Sequence, residues 1–264
     1  LKVYSEKMSE LFGLSGDEIV QRMENYYDDN SDAEKKSWRV SLPKLIEVVR
    51  AAGLGNLYIA TEYELPAGGR IDATLVGDDD NGKHHALVIE LKQWSRGGIE
   101  YYANNGFPAI KVKATNPYLS RHPVNQTNEY TSALIGNHSN VVNGQLSVSG
   151  CQYLHEFEVE EKNFFIQDGY SDVDISNMFV KGEEELFADY LKSIFSSSTD
   201  NELARNLFID GEYVTTEMDM EIINRITESP DNIPLWHDQS KILDYIMPLL
   251  KQQAEGRLTT KQLT

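Results

Sequence analysis

The feature that most constrains the fold is the apolar run Ala86-Leu87-Val88-Ile89 inside "HHALVIELKQW". An unbroken apolar stretch of strand length, preceded by the turn-like "DDDNGK", reads as a strand buried on both faces. Such a strand belongs in the middle of a sheet covered by helices. Its neighbours precede it. "NLYIATEYELP" alternates and is rich in aromatic and branched residues, and "GGRIDATLVG" follows after a glycine pair suited to a hairpin turn. Upstream, "SWRVSLPKLIEVVRAAG" has apolar residues at 42, 45, 46, 48 and 49, with Pro43 near its start and Gly53 at its end, which predicts a helix.

The remaining segments extend this pattern. Residues 4–27 read as an acidic amphipathic helix or helix pair, with "SGDE" as cap and acidic first turn. Residues 95–125 read as irregular, and a helix begins around Val124. "NFFIQDG" reads as a strand, "GEEELFADYLKSIF" as a helix, and residues 201–264 as helical segments. The fold class expected is α/β: a mixed central sheet flanked by helices over residues 37–195, with helical additions at 1–36 and 196–264.

Composition narrows the function classes. The 264 residues carry a formal net charge of −18, which argues against a nucleic-acid binder that is basic over its whole surface. The charge is uneven, however: residues 91–122 hold Lys92, Arg96, Lys111, Lys113 and Arg121 against Glu100 alone. A local basic surface is what a polyanion meets. Cys151 is the single cysteine, so no intrachain disulfide or cysteine-based zinc site forms, and a reducing cytoplasm is expected. No apolar run reaches the roughly 18 residues of a membrane span, and no membrane partner is expected. A chain that begins with Leu1 is expected to be processed, trimmed or cut from something longer.

The apolar run ends in Glu90-Leu91-Lys92, and the strand before it carries Asp72. Residues two apart on a strand share a face, so Glu90 and Lys92 point the same way. This pattern is either a solvated strand end with an ion pair or a site. Phosphodiester cleavage needs an activated water and neutralised charge. Hard divalent cations such as Mg²⁺ or Mn²⁺ supply both through carboxylate and carbonyl oxygens. Asp72 and Glu90 offer the carboxylates, and the Leu91 carbonyl a further oxygen.

Asp72, seventeen residues, then Glu90-Leu91-Lys92 resembles the signature of the PD-(D/E)XK nuclease superfamily, with Ile71 where a proline usually precedes the aspartate. Downstream, Gln126-Thr127-Asn128-Glu129-Tyr130 resembles the QxxxY helix motif of the subgroup found in bacterial recombination-repair helicase-nucleases, and i,i+4 spacing puts Gln126 and Tyr130 on one helix face. The resemblance, over roughly residues 37–135, implies a restriction-endonuclease-like core and a magnesium- or manganese-dependent nuclease acting on DNA. It makes Asp72, Glu90, Lys92, Gln126 and Tyr130 the catalytic set, and adds Glu47 as an extra metal ligand. "NIPLWHDQSKILDYIMPLL" resembles the lead-in of superfamily-1 helicase-like ATPases, with Gln239 as the nucleotide-contacting glutamine, and implies an ATPase domain as partner.

Other residues admit two readings. Arg96, Lys111, Lys113 and Arg121, with Tyr101, Tyr102 and Phe107 for stacking, either track a phosphate backbone or form a solvated loop. Glu62 and Glu64 read as surface residues of a hairpin, with Tyr63 facing the other way. The competing function is a non-catalytic DNA-binding or protein-docking module of an attached ATPase. An RNA-directed nuclease is a third, since the motif's metal chemistry does not read the 2′-hydroxyl.

Overall fold

A buried four-residue apolar run needs cover on both sides, and the chain supplies it. The computed structural model describes residues 3–27, 31–65, 68–104, 107–114, 117–167 and 169–215. In chain order the elements are β1 (Tyr4–Lys7), α1 (Gly16–Glu24), α2 (Asp32–Ala51), β2 (Tyr58–Glu64), β3 (Arg70–Asp78) and β4 (His84–Leu91). Then come β5 (Ile99–Asn104), β6 (Phe107–Val112), β7 (Tyr118–Ser120), α3 (Pro123–Asn137), α4 (Ser139–Val142) and β8 (Leu146–Glu158). The last are β9 (Met178–Lys181), α5 (Glu184–Ile194) and α6 (Glu202–Ile209).

The fold is α/β. A six-stranded mixed sheet runs β1-β2-β3-β4-β8-β9, and a separate three-stranded sheet runs β5-β6-β7. Strands β1 to β4 pair antiparallel in sequence, whereas β4–β8 and β8–β9 are parallel. β4 is central, as its uniform apolarity requires. Helices cover both faces. Leu45 and Val49 of α2 and Phe187 and Leu191 of α5 pack with Leu75, Leu87 and Ile89 on one side. Tyr130 and Leu134 of α3 and Phe208 of α6 pack with Val76, Ala86 and Val88 on the other. A third apolar cluster joins Ile99, Ile110 and Val112 of the small sheet to Leu154 and Phe157 of β8.

Several expectations change at the level of elements. Residues 4–7 form an edge strand paired with β2, Tyr4 opposite Thr61, where a helix was expected. α2 begins eleven residues before Pro43, because Ser31 and Glu34 form a reciprocal capping box and the helix runs through the proline. Pro43 leaves the Arg39 carbonyl without its helical donor. Gly16 of α1 approaches that oxygen so closely that a Cβ would overlap it. Within 95–125, expected to be irregular, β5, β6 and β7 form the small sheet, and the expected strand "NFFIQDG" overlaps a 3₁₀ segment at Val159–Ile166. The second strand that pairs with β4, opposite β3, is β8, which polar residues at Ser149 and Gln152 hide from a search for apolar runs. Residues 1–214 form one compact unit, so 1–36 and the α6 region belong with the core. The stretch containing Gln239 lies outside the described residues.

α3 sits directly on β8: a Cβ at Gly150 would collide with the Thr127 side chain. Gly150→Ala is therefore expected to cost about 1–3 kcal/mol in urea unfolding, the range for an overpacked contact. An unchanged midpoint would mean that α3 is held elsewhere.

Candidate functional site

The site lies where β3 and β4 part. The last paired couple of these strands is Ala73 opposite Ile89, so the next step sets Asp72 opposite Glu90. There the backbone ladder gives way: the Leu91 amide donates to Asp72 Oδ2 at 2.9 Å. The following amide, of Lys92, donates instead to the Tyr153 carbonyl of β8 at 3.1 Å. Side-chain alternation carries Glu90 and Lys92 to the face covered by α3, and the Lys92 ammonium is paired with Glu90 Oε1. Glu90 is fully buried, and its Oε2 has no hydrogen-bond partner.

The electrostatics follow from this crowding. Burial raises the pKa of Asp72, opposed by Lys92, the Leu91 amide and Arg70. Glu90 is raised by burial and then by Asp72, with Lys92 and Arg121 opposing. For Lys92, burial disfavours the ammonium, but Glu90 and Asp72 outweigh it and the pKa rises. Glu90, raised to about 8, holds its proton at neutral pH, and a cation that bound between the two carboxyls would displace that proton.

α3 closes the site from above. His122 caps it, accepting from the Val124 amide and bonding through Nε2 to the Phe165 carbonyl, and burial pushes its pKa down to about 4. Gln126 Nε2 donates to Tyr130 Oη at 2.9 Å. The Tyr130 hydroxyl is raised in pKa by burial and by Glu90. Tyr130 also rests against the β2–β3 turn, where Gly69 has φ of 99° and leaves no room for a Cβ beside the ring. The structure therefore brings together Asp72, Glu90, Leu91, Lys92, Gln126 and Tyr130.

Glu47 does not join them. It lies on α2, on the opposite side of the sheet, with a side chain 60% exposed and 3.8 Å from Lys44. Helix periodicity could not say which sheet face α2 would cover. The basic positions are largely neutralised: Lys111 and Lys113 each lie 3.1 Å from Glu100, and Arg121 pairs with Glu129. The Arg96 guanidinium stacks 4.4 Å over Phe164. Of these four, Arg121 alone bears on the site, through its effect on Glu90. Tyr102 is exposed, and Tyr101 packs edge-on to Tyr170.

Glu62 corrects the sequence reading. It is 7% exposed and, among the described residues, is the one non-glycine with positive φ, 54°. That conformation resets the strand's alternation, so Ala60 and Tyr63, three apart, face the same cluster. Register puts Glu62 opposite Asp72, between the pairs Thr61–Ala73 and Tyr63–Ile71. Its carboxylate accepts from Trp38 Nε1 at 2.5 Å and meets Arg70 Nε at 2.5 Å, while Arg70 also pairs with Glu34. Counting the hairpin register through "ATEYELPAGGRID" is the signal that would have found it.

Three or more His, Cys, Asp or Glu side chains nowhere converge as a metal cluster among the described residues. The donors at hand are two carboxylates, one with an unpartnered buried oxygen. This fits a magnesium-like ion, which takes one or two carboxylates and completes its shell with water and substrate phosphate.

Burial raises Glu62 from 4.5 to about 7, with Asp72 and Glu34 adding to it and Trp38 and Arg70 opposing. Between those values the folded protein holds a proton that the unfolded chain has released, so stability falls as pH climbs through the window. His122, His138 and His155, lowered from 6.5 by burial, act in the opposite direction. Glu62→Gln removes only the first effect. Relative to wild type, its stability is expected to gain roughly 2 kcal/mol between about pH 5 and pH 8. Parallel curves in urea titrations would refute this.

No family model matches the chain, and neither the curated proteins nor the solved structures yield a match.

Proposed function

We propose that the chain is a magnesium- or manganese-dependent nuclease that hydrolyses phosphodiester bonds of DNA. The supporting observation is the convergence of Asp72, Glu90 and Lys92 at the parting of β3 and β4, with the Glu90 Oε2 buried and unpartnered. Asp72 and Glu90, with the Leu91 carbonyl beside them, would hold the ion. When bound, it would lower the pKa of a water and offset charge on the phosphate.

The chain's own residues take the remaining roles. Lys92 has a raised pKa, so it stays an ammonium at neutral pH. It orients the attacking water and stabilises charge developing on the phosphate, and does not act as a base. Gln126 holds the Tyr130 hydroxyl beside the carboxylates, where it positions the substrate strand or Lys92. Burial of the carboxylates keeps bulk water from screening these interactions. An attached helicase-like ATPase is the proposed partner, in bacterial DNA processing or phage defence, in the cytoplasm. Among the described residues, no helix is long and apolar enough to cross a membrane.

The pairing of Lys111, Lys113 and Arg121 with acids leaves little attraction for a polyanion and favours a second reading, a protein-docking module without catalysis. Incubating plasmid DNA and an RNA oligonucleotide with Mg²⁺, Mn²⁺ or EDTA separates these readings. Metal-dependent cutting is expected, with Asp72→Ala and Lys92→Ala each lowering it by at least about 100-fold while the circular dichroism spectrum is kept. Wild-type cutting by a folded Lys92→Ala protein would reject its role, and no metal-dependent cutting of either substrate would favour the docking module.

Mn²⁺ should also stabilise the fold by linkage, by about 2.7 kcal/mol at a hundredfold excess over Kd. A rise in Tm of several degrees is expected for wild type and none for Asp72→Asn. Equal shifts in both would place the ion elsewhere.

A further inference from the structure

We propose that the polar cleft beside Glu90, between α3, β8 and residues 170–177, receives a nucleobase of the substrate strand next to the bond being cut. This rests on the reading of the site as acting on nucleic acid.

The first observation is Gln152. It is paired in register with Glu90 on the neighbouring parallel strand, and is 3% exposed. Adjacent strands lie about 4.8 Å apart, so its side chain starts one strand's width from the Glu90 carboxylate. Gly150, two residues earlier and so on the same face, abuts Thr127 of α3. Gln152 therefore points toward α3 and into the cleft that it lines. Its backbone amide bonds to the Asn177 carbonyl at 3.1 Å. Its side-chain amide meets no hydrogen-bond partner among the described residues. It opens on the cleft, where it is free to bond a ligand.

The second observation is the chemistry of the cleft, about 390 Å³ in volume, which exceeds the size of a single base. Asn125, Asn128 and Asn177 join Gln152 in its wall, with Asp172 and Asp174 and, among the described residues, no lysine, arginine or histidine. Phosphate is repelled by such a lining. Side-chain amides present a donor and an acceptor side by side, the pattern that matches the edge of a base. Val124 and Val173 give apolar cover for a flat ring.

The test uses the full chain carrying Lys92→Ala and a fluorescein-labelled single-stranded 12-mer in Mg²⁺, read by anisotropy. An abasic residue, which keeps sugar and phosphate, is walked along the strand. Removing the base at one position is expected to weaken binding about 5–10-fold. Gln152→Leu should lose a similar factor on the intact strand and nothing more on that abasic strand. A flat abasic scan, absence of binding, or equal loss on both strands would overturn the proposal. Should Gln152→Leu fail to fold, Asn128→Ala on the exposed side of α3 decides by the same comparison. Wild-type cleavage is measured alongside. Cleavage with a flat scan removes the base cleft alone, whereas base-dependent binding without cleavage leaves the cleft standing and removes the nuclease reading.

Discussion

Two carboxyl groups, Glu90 fully buried and Asp72 half-buried, face one another across the ends of β3 and β4, and the rest of the site answers to that constraint. Burial raises the proton affinity of both, Asp72 adds to that of Glu90, and a fold bearing them unopposed would lose stability. Lys92 opposes both from the same strand face, and Arg70 opposes Asp72 from two residues away. Glu90, raised to about 8, keeps its proton at neutral pH. Under the proposed function, stability is given up where the reaction needs metal-binding carboxylates, a common feature of sites that await a ligand.

The sheet fixes the geometry and the helices decide access. One strand step separates Asp72 from Glu90, and the diversion of the Leu91 amide to Asp72 locks that spacing. α3 lies low over β8 because Gly150 has no side chain, and Tyr130 reaches the turn at Gly69 for the same reason. These two contacts bring Gln126 and Tyr130 over the carboxylates. α2, on the other side of the sheet, carries Glu47 away from them.

Charge outside the pocket is organised as local pairs. Glu100 is shared by Lys111 and Lys113, Glu129 holds Arg121, and Glu34 and Glu62 hold Arg70. Over a chain of net charge −18, a polyanion gains little attraction from such a surface. Under the proposed function, affinity for DNA rests on the divalent ion and on short-range contacts such as those of the amide-lined cleft.

Local pattern determined much of this protein. The apolar run 86–89 fixed a central strand, the glycine pair fixed a hairpin, and i,i+2 and i,i+4 spacing put Glu90 with Lys92 and Gln126 with Tyr130, because these relations depend only on the pitch of a strand or helix. Tertiary structure alone decided what lies between elements. It paired residues 4–7 with β2, set β8 beside β4, sent Glu47 to the far face, and buried Glu62 and Gln152 beside Asp72 and Glu90. Periodicity says which residues of one element share a face. Which partner that face meets is settled by packing among segments distant in the chain, and no local spacing encodes it.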